Sequence, residues 1–124
     1  MAKKALLDAD VKLGDKILES LDAAKFPISV AIWTLTEDTG GWQFVIGTPL
    51  YEKAGPLEAY GKLITALRRN DPEYSDLEGV RLMSNREPFI RELRRSYPKA
   101  KPGKRISGHF GNLWLDDAVV YRIK

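Results

Sequence analysis

The sequence predicts an α+β fold: a single antiparallel or mixed sheet of 4–5 strands with about three helices, in the order α-β-β-α-β-α-β-β. Three observations carry this prediction. Residues 26–48 hold two apolar runs of strand character around a glycine-containing turn. Three other segments repeat apolar residues at helical spacing, and each lies beside a proline. Residues 105–124 are strand-like again, and the paired strand segments have no helix between them, which favours antiparallel pairing. A length of 124 residues fits one domain spanning 1–124, long enough to build a core without metal or disulfide.

Taken in order, Asp10 can cap a first helix running to about Lys25. Leu13, Ile17, Leu21 and Ala24 form its apolar stripe, while Lys12, Asp15, Lys16 and Glu19 face outward. Pro27 ends it and opens the hairpin. Ile28, Val30 and Ile32 share one face of the first strand, and Ala31, Trp33 and Leu35 share the other. Both faces are apolar, unlike a strand with one wet side. The turn is expected at Glu37-Asp38-Thr39-Gly40-Gly41, where glycine accepts positive φ. Trp42, Phe44 and Ile46 then line one face of the returning strand.

Gly47–Gly55 reads as a long connection carrying Tyr51, Glu52 and Lys53. Pro56 suits the first turn of a second helix, with Leu57, Tyr60, Ile64 and Leu67 as its expected buried stripe and Leu63 and Ala66 beside it. Asn70-Asp71-Pro72 stops that helix, and Leu77–Met83 is expected as a third strand. Ser84 and Glu87 have capping-box spacing, but Asn85 as the cap keeps Pro88 inside the first turn of the third helix. On that helix Phe89, Leu93 and Tyr97 with Ile90 oppose Arg91, Arg94 and Arg95. A basic loop between Pro98 and Pro102 leads to the final strands. Gly111-Asn112 is the expected two-residue turn there, and Asp116-Asp117 competes with it.

With 44% apolar and 30% charged residues the composition is that of a globular protein. Cysteine is absent, which excludes a disulfide framework, a thiolate zinc site and a cysteine nucleophile. That usage suits a reducing compartment, and MAKKALLDAD has no apolar run for a signal peptide or membrane span, so a cytoplasmic location is expected. Net charge is +3 but unevenly placed. Residues 1–62 hold 7 basic and 9 acidic residues, and residues 63–124 hold 13 and 8. Seven of those bases, Arg91, Arg94, Arg95, Lys99, Lys101, Lys104 and Arg105, lie in one stretch with Glu92 as its one acid.

Catalytic signatures are not evident. His109, the single histidine, needs an orienting carboxylate to act as a base, and Asp116 or Asp117 can face it only across a Gly111-Asn112 turn. One histidine and no cysteine leave a metal only carboxylates, so no metal and no cofactor are expected. Gly40-Gly41 lacks the spacing of a phosphate loop, and Gly103-Lys104 precedes a strand. Two surfaces remain. The basic stretch can neutralise phosphates, with Tyr97 or Trp114 available for stacking, or it can meet an acidic protein. Ala31, Trp33 and Leu35 would form a protein interface if helices covered only the opposite sheet face.

The reading is therefore a non-enzymatic interaction module that binds a protein partner, or itself as a homodimer, through the Trp33 face or the basic helix. The alternative is a nucleic-acid-binding accessory protein using 91–105, and the third reading is a small enzyme using His109. No membrane association and no small-molecule ligand are indicated.

Overall fold

A computed structural model of the chain describes residues 6, 8–36, 41–74 and 79–124. Its elements are α1 (Asp8–Ala23), β1 (Val30–Leu35), β2 (Trp42–Thr48), α2 (Leu50–Ala54), α3 (Pro56–Asn70), β3 (Val80–Ser84), α4 (Pro88–Ser96), β4 (Arg105–Phe110) and β5 (Leu113–Ile123). The α+β class and element order match the sequence prediction, with α2 added inside the Gly47–Gly55 connection. Residues 37–40 of the expected hairpin turn, and Leu77 and Glu78 of the expected third strand, lie outside the described residues.

The five strands form one mixed sheet in the order β3-β2-β1-β5-β4. The β1–β2, β1–β5 and β4–β5 pairs are antiparallel, whereas β2 and β3 run parallel. That parallel pair follows from the chain between them, because α2 and α3 provide the crossover that parallel strands require.

Helices cover both faces of the sheet, so the condition on which a Trp33 interface rested, helices on one face only, is not met. On one face α1 and α3 bring Ile17, Leu21, Ala59, Leu63, Ala66 and Leu67 onto Ala31, Trp33, Phe44, Ile46, Val80, Leu82 and Val119. On the other face α4 brings Phe89, Ile90 and Leu93 onto Val30, Ile32, Val45, Met83, Leu115, Ala118 and Val120. β1 is buried along its whole length, which explains why both of its faces are apolar. The antiparallel register sets Trp33 against Phe44 and Ile32 against Val45, so Ile32 and Phe44 lie on opposite faces.

α3 is rotated from its expected register. Its buried residues are Ala59, Leu63, Ala66 and Leu67, while Tyr60 and Ile64 are half-buried and Leu57 is 89% exposed. Two alanines let this helix lie close to the sheet, and the Tyr60 hydroxyl takes another task. It accepts the Leu82 N–H at 3.0 Å, satisfying a main-chain donor of the edge strand β3. Ser84 belongs to β3, and its hydroxyl accepts the Arg86 N–H at 3.0 Å and donates to Glu52 at 2.7 Å. The N-cap of α4 is thus Glu87, with no side-chain cap, and neither Ser84 nor Asn85 takes that role. Pro88 at the first helical position needs no N–H partner.

The strand β5 changes faces partway. Its pairing with β1 shifts between Val120 and Arg122, so Val119 and Tyr121 join the α1/α3 side while Val120 and Ile123 join the α4 side. Gly111-Asn112 forms the expected two-residue turn between Phe110 and Leu113. Asp116 and Asp117 make no turn. They sit within β5 where two residues oppose Ser107, a bulge in the β4–β5 ladder.

Candidate nucleic-acid interface

α4 is amphipathic because its apolar residues fall at 89, 90 and 93. These three are buried against the sheet, while Arg91, Arg94 and Arg95 are exposed. Arg94 and Arg95 in the last turn also face the negative end of the helix dipole. Beyond the helix the Tyr97 N–H donates to the Leu93 carbonyl at 2.9 Å, and the loop carrying Lys99 and Lys101 is tied to the sheet. The Gly103 N–H reaches the Val120 carbonyl at 2.7 Å, and the Val120 N–H reaches the Lys104 carbonyl at 2.8 Å. These bonds hold the basic residues along one border of the molecule.

The seven cations differ in their surroundings. Arg95 pairs with Glu92 at 2.5 Å, one turn away on the same helix. Arg105 pairs with Asp117, whose carboxylate holds the guanidinium above its ordinary value. Arg94 donates to the Lys124 carbonyl at 2.7 Å. The Lys104 ammonium lies 5.6 Å from the centre of the Tyr97 ring. Among the described residues no carboxylate forms an ion pair with Arg91, Arg94, Lys99, Lys101 or Lys104. Tyr97, Lys99, Lys101, Lys104 and two prolines line a shallow depression of about 680 Å³. A second, of about 520 Å³, runs between Arg91, Arg94, Arg95 and Gly111.

The turn at Gly111 belongs to this surface because it is seated on α4. Gly111 has φ +60, and a Cβ there would fall 2.4 Å from the Pro88 carbonyl carbon, so only glycine lets the turn approach so closely. Flanking the turn, His109 and Trp114 are exposed and lie opposite one another, with ring centres 6.5 Å apart at 36°. This register puts Trp114, rather than Asp116 or Asp117, across from His109. The carboxylate that would orient the imidazole is therefore missing from that position, and Asp117 is committed to Arg105.

Ala31, Trp33 and Leu35 are 0%, 5% and 6% exposed. The expectation of an open sheet face at Trp33 is thus corrected: the chain's own α1 and α3 cover it. Tyr97 is half-buried, its ring 6.0 Å from that of Phe110 and partly beneath Lys104. What sequence reasoning left open was which aromatic stays in water. The two-residue turn held that signal, since it sets residues 109 and 114 directly opposite each other.

Among the described residues no group of three or more His, Asp or Glu side chains is arranged to hold a metal ion, and no helix is long and apolar enough to cross a membrane. No protein-family model, curated protein or solved structure matches the chain.

Proposed function

We propose that this protein is a small non-enzymatic accessory protein that binds nucleic acid through the α4–β4 segment. The observation that carries the reading is the set Arg91, Lys99, Lys101 and Lys104, four cations that form no ion pair with a carboxylate among the described residues, with Arg94 beside them. They are spread over a helix and the loop that follows it rather than gathered in one pocket. That spacing suits a polymer with regularly repeated charge, whose bound counterions are released on neutralisation. A protein partner at the Trp33 face has lost its basis, because that face is covered. An acidic protein segment would use the same basic surface, and the test below distinguishes it.

Labelled oligonucleotides should bind at low salt, with affinity falling steeply as salt rises and depending little on sequence. Replacing Arg91, Lys99, Lys101 and Lys104 with glutamine should flatten the log–log salt slope by about three. Fluorescence anisotropy measures both, with circular dichroism to check that the variant is folded. No binding by the parent at low salt, or an unchanged slope in the variant, overturns the reading. Polyglutamate that binds as tightly as the oligonucleotide points to an acidic protein partner instead.

A further inference from the structure

We infer that the nucleic acid is single-stranded and that one of its bases stacks on Trp114 at the β4–β5 hairpin; the inference rests on the phosphate-binding reading above. Among the described residues the exposed large apolar side chains are Leu57 and Trp114, and Trp114 is 60% exposed. An indole is the largest apolar surface a residue can leave in water, and it gains most when a flat partner covers it. Trp114 does not lack a core to enter. Its neighbour Leu115 is fully buried on the α4 side, so strand alternation aims the indole away from that core.

The surroundings of Trp114 specify the partner. His109 lies across the ladder from it and widens the platform with a second flat ring. By alternation Arg105 and Ser107 share that face of β4 with His109. The turn at Gly111 adjoins Arg91 and Arg94 in one depression on the α4 side, whereas Trp114, the second residue of β5, presents its indole on the opposite side of the sheet. A strand flexible enough to pass round this turn, beside the edge strand β4, reaches both the cations and the ring platform. Tyr97 is a poor alternative, because Lys104 and Phe110 already occupy its surroundings. A duplex offers phosphates to the cations but keeps its base faces covered by their neighbours, whereas a single strand offers both phosphates and faces.

The test compares a thymidine homopolymer, the same backbone with abasic sites, and a hairpin duplex, each titrated by anisotropy at low salt. The parent should prefer the homopolymer. Trp114→Ala should weaken homopolymer binding by roughly tenfold to a hundredfold and leave the salt slope unchanged. The same variant should bind the duplex and the abasic strand as the parent does. Trp114→Phe should recover most of the loss, since a phenyl ring still stacks, which a purely structural role would not require. Equal binding of homopolymer and duplex, with no effect of Trp114→Ala, overturns the single-strand inference and leaves the phosphate-binding reading standing. No binding of any of the three probes by the parent overturns both.

Discussion

Gly14 is buried where α1 meets Trp33 and Tyr121 of the sheet. A Cβ at this position would stand 2.8 Å from the Trp33 indole nitrogen and 2.8 Å from the Tyr121 hydroxyl oxygen. Alanine favours a helix over glycine by about 1 kcal/mol, but crowding a rigid, buried ring contact costs about 1–3 kcal/mol. Gly14→Ala should therefore destabilise the protein. Gly61→Ala on α3, where a Cβ meets nothing within 4 Å, should stabilise it by about 0.5–1 kcal/mol. Urea unfolding of the two variants checks the opposite signs. Tyr121 makes a second test. Its hydroxyl donates to the Val11 carbonyl at 2.7 Å, and the Trp33 N–H beside it has no well-aligned acceptor. Burial raises the Tyr121 phenol above its ordinary value of 10.0, and the nearby indole offsets this only in part. A raised value in the folded state means that stability is intact below about pH 10 and falls as pH rises through the folded value. Tyr121→Phe should remove that alkaline fall, seen by comparing unfolding at about pH 8 and about pH 11, while costing about 1 kcal/mol at neutral pH.

Elements show where the sequence could be read and where it could not. The strand pattern of residues 28–46 was legible because period-two alternation is a property of the local chain, and so was the Gly111-Asn112 turn. The rotation of α3 was not. Leu57 and Tyr60 look like core residues by hydropathy, yet the helix presents the smaller Ala59 and Ala66, and Leu57 stays in water. Close approach to a flat sheet outweighed apolar content, and a helical pattern that is apolar over a wide arc does not say which part of the arc will be used. This gives a direct prediction. Leu63→Ala should cost about 2–5 kcal/mol, and Leu57→Ala should stay within about 0.5 kcal/mol, both read from denaturant midpoints. The candidate site was legible as charge, since seven bases in one stretch need no structure to count. Its ion pairs were not, because Arg105 meets Asp117 across the ladder and through a bulge.

For the whole molecule, the layering decides what Trp33 does. A doubly apolar β1 left two arrangements open from sequence: an uncovered face, or helices on both faces. The second is found. Trp33→Glu should consequently abolish folding rather than dissociate an assembly, because the carboxylate would enter a space shared with Phe44, whose ring centre lies 5.0 Å away. Loss of the native circular dichroism is the expected result; a folded variant would show that this layer is looser than described. Layering also separates charge. α1, with Asp8, Asp10, Asp15, Glu19 and Asp22 against Lys12 and Lys16, lies over one face, and the arginines of α4 lie over the other. A polyanion would thus be drawn first to the α4 side, because α3, with Lys62, Arg68 and Arg69 against Glu58, offsets only part of the acidity of α1 on the other.

The sheet order carries a consequence for the protein's birth. β5 is made after every other strand, yet it lies between β1 and β4, and its pairing with β1 completes the centre of the sheet. Until β5 emerges from the ribosome, β1 has one partner, β4 has none, and Val30 and Ile32 wait without Val120 and Ile123. The native sheet therefore cannot close progressively during synthesis. It must close late, by joining segments far apart in sequence, which makes for slow assembly and leaves the half-made chain dependent on protection from its neighbours.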